Sequence, residues 1–170
     1  DDDLQNYQYL FSEATKNKVL GDIPRAIDYY QKCVMINPGS DASMYALSSL
    51  YSMVGEYSKS LEYAIKAAKL DPDNIWYKLQ LANLYRALND LDKSIEVYEE
   101  IHRRFPERDD LYFTLGNIYA ENDQHAAAID VFERLENQYG LQENIILAKE
   151  ESYEAMKMYD EAIQEVSNLK

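Results

Sequence analysis

The side chains able to do chemistry are few and scattered along the 170 residues. There are two histidines, His102 and His125, and one cysteine, Cys33. A zinc site needs three or four nitrogen or sulfur ligands, and neither histidine has a second ligand nearby in sequence, so both are read as solvent-facing. Cys33 falls in a row with Ala67, Ile101 and Leu135. Such an apolar row predicts a buried, inert thiol rather than a nucleophile. A single cysteine also excludes an internal disulfide. Asp71-Pro72-Asp73-Asn74 lacks the mid-loop glycine and distal glutamate of a calcium loop. No glycine-rich phosphate loop or serine nucleophile elbow is present. Carboxylates are abundant, but pairs such as Glu99-Glu100 fall on an expected solvated helix face and form no acid–base dyad without a pocket. The expectation is a non-enzymatic chain with no catalytic residue, cofactor or metal.

What the chain does carry is a period. Tyr51, Tyr85, Tyr119 and Tyr153 recur at one constant interval. Pro38, Pro72 and Pro106 keep the same spacing, with Gly140 next in the series. Small residues form a further row at Ala26, Ser60, Ser94, Ala128 and Ala162. Leu47, Leu81 and Leu115 form another, each followed by a small residue: Ser48, Ala82 and Gly116. Tyr30, Tyr98 and Phe132 share a register whose other two places hold Ala64 and Val166. Self-similarity at a fixed period marks a repeat architecture, and repeat arrays mostly bind along an extended surface.

Composition agrees with that reading. The chain is 46% hydrophobic with four prolines and five glycines, enough apolar content for a sizeable core. Net charge is −14. The acidic excess argues against a nucleic-acid backbone partner and against docking on an anionic membrane. Its simplest role is solubility. No apolar run reaches the roughly 18 residues of a membrane span, so direct membrane insertion is not expected. The start at Asp1-Asp2-Asp3 without an initiator Met suggests a cut or processed chain, from which targeting information is expected to have been removed.

Each period reads as two helices. Ile75, Leu79, Leu81, Ala82, Tyr85 and Leu88 follow helical spacing, Asn89-Asp90 breaks the pattern, and Leu91, Ile95, Val97, Tyr98 and Ile101 resume it. Phe105-Pro106 ends the second stretch, because the residue before proline disfavours the α region. Gly21-Asp22, Gly55-Glu56 and Asn122-Asp123 punctuate the other pairs. First helices are predicted over 5–20, 41–54, 75–88, 109–122 and 143–156. Second helices are predicted over 23–36, 57–70, 91–104, 125–138 and 159–169. The small residues let paired helices approach closely, and the tyrosine row fills the gap between neighbours. No stretch reads as a linker, so one continuous array over 1–170 is expected.

These rows resemble the tetratricopeptide repeat, a helix–turn–helix motif of about 34 residues, the interval at which the tyrosines recur. Tyr112-x-x-Leu115-Gly116-x-x-Tyr119 with Ala128 and Phe132 is a close match. Leu81-Ala82-x-x-Tyr85 with Ser94, Tyr98 and Pro106 is another, and Leu47-Ser48-x-x-Tyr51 with Ser60, Ala67 and Pro72 a third. The resemblance covers nearly the whole chain, as repeats of about 7–40, 41–74, 75–108, 109–142 and 143–170. It implies an all-α fold, a right-handed superhelical solenoid of helix–turn–helix repeats. Cys33-Val34-Met35-Ile36-Asn37-Pro38 and Leu70-Asp71-Pro72-Asp73-Asn74-Ile75-Trp76-Tyr77 also look similar to tetratricopeptide segments of exported bacterial proteins, which points to an extracytoplasmic location.

In the resembled family the first helices line a concave groove that holds a peptide or helix of a partner protein. Steps of one period place Phe11, Tyr45, Leu79, Phe113 and Leu147 in one row of that lining. Thr15, Ser49, Asn83, Asn117 and Glu151 lie one turn along, followed by Lys18, Ser52, Arg86, Ala120 and Glu154. Gln8, Ala42, Trp76, Asp110 and Asn144 flank them. Candidate partner-binding residues are therefore Phe11, Thr15, Lys18, Tyr45, Ser49, Trp76, Asn83, Arg86, Phe113 and Asn117. The larger apolar members, Phe11 and Tyr45 above all, serve equally well as core between repeats. The groove is expected to turn acidic toward Glu121, Glu151 and Glu154. One family subclass grips chaperone C-termini with Lys and Asn. The equivalent places here hold Phe11, Thr15, Ala46, Trp76 and Gln80, so that activity is not expected.

The outer repeats depart from the pattern. Glu13-Ala14 and Lys149-Glu150 stand where Leu-Gly is expected, and Asn17 replaces the first tyrosine. Atypical terminal repeats are normal for capping. Ile163, Val166 and Leu169 are expected to face outward unless something covers them. Continuation of the array past Lys170 is the preferred reading, and self-association through this end, as a structural or self-assembly segment, is the other.

Overall fold

A computed structural model describes residues 2–168, and Leu169 with its expected outward face lies outside them. The described residues form ten helices and no strand. They run α1 (Asp2–Val19), α2 (Ile23–Ile36), α3 (Asp41–Met53), α4 (Tyr57–Leu70), α5 (Ile75–Ala87), α6 (Leu91–Arg104), α7 (Asp109–Glu121), α8 (His125–Tyr139), α9 (Glu143–Ala155) and α10 (Tyr159–Ser167). Contacts group the chain into two compact units, Asp1–Asn89 and Asp90–Lys170. In the first unit each of α1 to α5 packs on its neighbour in sequence, and α6 to α10 do the same in the second.

The turns inside the helix pairs share one backbone device. Gly21, Gly55, Asn89, Asp123 and Lys157 all have positive φ, between 56° and 80°. They too stand one period apart. A left-handed residue after a helix lets the chain reverse and satisfy the last carbonyls. Glycine and Asn/Asp adopt it readily, whereas Lys157 does so against its Cβ. Starts are capped where the sequence supplies an oxygen. Asp22, Ser40, Asn74 and Asp90 accept from the amides of Arg25, Ser43, Trp76 and Lys93. Helix α1 begins three residues earlier than expected. Asp2 and Asp3 fill its first turn, where the helix dipole favours negative charge.

Small residues act as predicted from their register. A Cβ on Gly116 of α7 would come within 2.6 Å of the Phe132 ring on α8, so this crossing needs glycine. At the same register in the first unit, Ser48 accommodates a hydroxyl instead. The Ser60 hydroxyl donates to the Ser48 carbonyl at 2.7 Å and lies 3.2 Å from its hydroxyl. Cys33 is buried, and burial pushes its thiol up.

The histidines are a correction to the sequence reading. Neither is solvent-facing, because both are half-buried. His102 stacks on Tyr112 with ring centroids 3.8 Å apart. Burial, and then the nearby Arg134, lower its pKa, with Asp109 opposing. The atypical Lys149 is buried too. Its ammonium lies 2.7 Å from Glu136 and 2.8 Å from Glu165, binding α9 to α8 and α10. Burial works against its charge, but the hydrogen bonds to Glu136 and Glu165 outweigh it and raise its pKa.

Candidate functional site

Within the first unit the candidates fall into two clusters. On α1, Phe11 is half-buried and meets the Tyr30 ring edge-on at 5.4 Å. The Thr15 hydroxyl donates to the Phe11 carbonyl at 2.9 Å and lies 3.0 Å from the Tyr30 hydroxyl. Phe11 thus packs against the core, and Thr15 is held by its own chain, while Lys18 is exposed. The second cluster joins α3 and α5. Tyr45 lies 5.0 Å from the Tyr77 ring and packs against Met44, Ala67 and Tyr77. Buried Tyr77 donates to the Asp41 carboxylate at 3.0 Å. Burial first, and that carboxylate second, push its pKa up to about 12.

Ser49 links these helices. Its hydroxyl donates to the Tyr45 carbonyl at 3.1 Å and accepts the Gln80 amide at 3.0 Å. The Gln80 carbonyl oxygen is buried with no hydrogen-bond partner. Beside this cluster Trp76 is 61% exposed, an uncommon state for the largest apolar side chain. Asn83 and Arg86 are also exposed on α5. The exposed binding candidates of this unit are therefore Thr15, Lys18, Trp76, Asn83 and Arg86. Phe11 and Tyr45 are mainly packing.

In the second unit Phe113 is half-buried, 5.4 Å from the Phe132 ring, with Asn117 one turn along α7. Phe113 forms part of an open cavity of about 390 Å³ between α7, the end of α8 and the start of α9. Leu135 and Ile145 supply further apolar surface, and Asp109, Asp110, Gln142 and Asn144 supply polar groups. Asp110 is held by a two-point ion pair with Arg108 at 2.8 Å, which lowers its pKa. Asp109 accepts from the Tyr139 hydroxyl and from Gln138 at 3.3 Å. Phe113, Asp110 and Asn144 come from the predicted rows, and the cavity brings them together.

Several residues here escaped the sequence reading. Gln80 reaches across to Ser49 through its long side chain, a reach that register alone does not reveal. Tyr139 ends α8 and Gln142 precedes α9, on either side of the turn where Gly140 takes the proline place, outside any first-helix row. Among the described residues no cluster of His, Cys, Asp or Glu could hold a metal ion, and no helix is long and apolar enough to cross a membrane.

Family models described as tetratricopeptide repeat match residues 42–74 and 79–140, together more than half of the chain. No curated protein matches the sequence. Solved structures do. MamA is 19% identical with a TM-score of 0.81, over 96% of this chain and 89% of its own. A tetratricopeptide repeat protein from Parabacteroides merdae is 18% identical with a TM-score of 0.82, over 97% of this chain and 66% of its own. YrrB, a tetratricopeptide repeat protein with an unusual peptide-binding site, is 15% identical with a TM-score of 0.71, over 92% and 84%. These likenesses place the fold among all-α helical-repeat solenoids.

Proposed function

The chain belongs to the tetratricopeptide repeat family, and from that premise we propose that it is a non-enzymatic protein-interaction scaffold whose first helices hold a peptide or helix of a partner. The cavity at Phe113 carries this reading. It offers apolar floor from Phe113, Leu135 and Ile145, with carboxylate and amide groups at its edge able to meet backbone donors and acceptors. Trp76 gives the first unit a comparable anchor, since an exposed indole supplies large contact area with few rotors to freeze. YrrB, which shares the fold, is itself described as having a peptide-binding site.

Selection from a random displayed-peptide library, followed by calorimetry on the isolates, tests this. Phe113→Ala and Trp76→Ala are each checked for unchanged helicity by circular dichroism. Isolates should bind at least one of these variants about tenfold more weakly, as truncation of an aromatic anchor does. Isolates that bind both variants as tightly as the parent, or a library that yields none, overturn the proposal.

A further inference from the structure

Arg134 departs from a pattern set at its own register. In the first unit Asp28 pairs with Lys32 at 2.7 Å and Glu62 with Lys66 at 2.5 Å, each across one helical turn. Asp130 and Arg134 of α8 hold the same two places in the second unit. They do not pair. Among the described residues no carboxylate lies within ion-pair reach of Arg134. Its guanidinium turns instead onto Tyr112 of α7, 5.6 Å from the ring centroid, and donates one N–H to the hydroxyl at 3.1 Å. Arg103 of α6 is a second case. Glu99, one turn before it, accepts from the Tyr119 hydroxyl, and among the described residues no carboxylate lies within ion-pair reach of Arg103 either. The nearby arginines do find partners, Arg104 at 3.5 Å from Glu100 and Arg108 at 2.8 Å from Asp110. Residues 90–170 hold 20 acidic against 8 basic residues, so two exposed arginines without a carboxylate are out of keeping with their surroundings.

Both arginines line open cavities, and the two cavities share a wall. His102, stacked on Tyr112, lines both, as does Pro106. On one side Arg134 stands with Leu135, Asn137 and Gln138 around about 500 Å³. On the other Arg103 stands with Leu115, Tyr119 and Val131 around about 510 Å³. One carboxylate faces each cavity, and each is already engaged. Asp109 accepts from Tyr139 and Gln138, and Glu99 from Tyr119. On the shared wall the buried Nδ1 of His102 has no hydrogen-bond partner among the described residues, an unmet polar atom of the kind that folded chains rarely leave.

We infer that these adjoining cavities form a second binding site, built on α6 and α8, for an extended partner peptide bearing one or two carboxylates between apolar side chains. Its carboxylates meet Arg103 and Arg134, and its apolar groups rest on Tyr119, Val131 and Leu135. A guanidinium has five N–H donors in a planar fork that fits a carboxylate at two points, and Arg134 spends one of them on Tyr112. The contact with Tyr112 also holds that fork in place before a ligand arrives. The acidity of the unit sets a limit on the occupant. Its negative field repels a long acidic run, so a segment with few carboxylates is the one that fits. A second copy of the chain, itself carrying −14, is disfavoured on the same ground.

The test uses the whole chain and the peptide acetyl-Gly-Leu-Glu-Tyr-Glu-Leu-Gly-amide carrying a neutral dye. Fluorescence anisotropy is read at about 0.15 M salt, which screens diffuse electrostatics. Arg103→Gln and Arg134→Gln are each expected to weaken binding several-fold, and the two together about tenfold, with helicity unchanged. The peptide with Gln in place of both Glu should bind the parent about tenfold more weakly. Arg104→Gln removes the same charge from the same helix but lines neither cavity, so binding should stay unaltered. Absence of binding overturns the inference. So does equal binding of the Gln peptide, equal binding by the double variant, or a loss from Arg104→Gln as large as that from Arg103→Gln. A concentration-dependent dimer of the parent that the double variant converts to monomer overturns it too, by making a second copy the occupant. Asp109 and Leu135 also line the Phe113 cavity, and for that reason neither is varied. Phe113→Ala should leave this peptide bound, and its release would place the peptide in the other cavity and overturn the inference. The arginine variants leave Phe113 and Trp76 in place, so failure here does not touch the function proposed above.

Discussion

The two units repeat one backbone plan and fill it with different chemistry. Residues 1–89 hold 11 acidic and 9 basic residues, a net of −2, whereas residues 90–170 hold 20 and 8, a net of −12. The first unit joins its helices with hydroxyls and stacked tyrosines. Tyr7 meets Ser40 at 2.7 Å, Ser60 bonds to Ser48 at 2.7 Å, and Tyr51 stacks on Tyr63 at 5.7 Å. The second joins them with a glycine–phenylalanine crossing and a buried ion triad. The period fixes where helices turn and which faces meet. It leaves open whether a meeting face is held by a hydroxyl, an aromatic ring or a charge, and that freedom is where binding specificity can reside.

Phe132→Ala gives the comparison its hardest test, since it places in the second unit the residue that Ala64 already supplies at the same register in the first. Phe132 is fully buried against Gly116, which cannot follow it inward. Loss of the ring is expected to cost about 3–5 kcal/mol, read as a shift in urea midpoint at constant slope. A cost near zero would show that the two ways of filling the register are interchangeable.

Lys149→Ala is next. It removes a buried ammonium and leaves Glu136 and Glu165 facing each other without a cation, at a cost of about 3 kcal/mol. The pH dependence has a definite sign. The folded-state pKa of Lys149 is raised above its ordinary 10.5, so the triad's contribution is complete below that value. It fades as pH climbs through the higher folded value. Urea midpoints of parent and variant should therefore converge as pH rises beyond about 10.5. A variant as stable as the parent at neutral pH would mean that the triad contributes no more at this register than an alanine does.

The scaffold was legible in the sequence because the period is written in residues that the backbone requires. The helices predicted over 23–36, 57–70 and 91–104 are found at those bounds. Gly21, Gly55, Asn89 and Asp123 marked their turns by composition, whereas Lys157 gave no such sign and was inferred only from spacing. The site was legible as rows but not as surfaces. Whether Phe11 and Tyr45 face a ligand or a neighbouring helix depends on side-chain packing between repeats, and both proved to be largely packed. The Lys149 triad draws on Glu136 of the preceding helix and Glu165 of the following one, too far along the chain for any local helical spacing to reveal. His102 failed as a surface residue because Tyr112 arrives from the next helix to stack on it.

The smallest expected effect concerns that last turn. Gly21 and Gly55 sit at φ of 80° and 78° in the first unit, and Lys157 at 61° in the second. A lysine in the left-handed region holds its Cβ close to the following carbonyl oxygen, at a cost of about 1–2 kcal/mol. Glycine removes that crowding but gives the unfolded chain more freedom to lose, by about 0.5–1 kcal/mol. The first effect is the larger, so Lys157→Gly should stabilise the protein by about 0.5 kcal/mol. The mirror change, Gly55→Lys, meets no neighbouring atom within 4 Å of the added Cβ, so only the backbone term opposes it. Its expected cost is the same size with the sign reversed. Thermal midpoints of the pair, moving in opposite directions, would show that the turn register is one physical position in both units. A loss of stability from Lys157→Gly would mean that the lysine side chain contributes something at its turn that no glycine in the first unit has to supply.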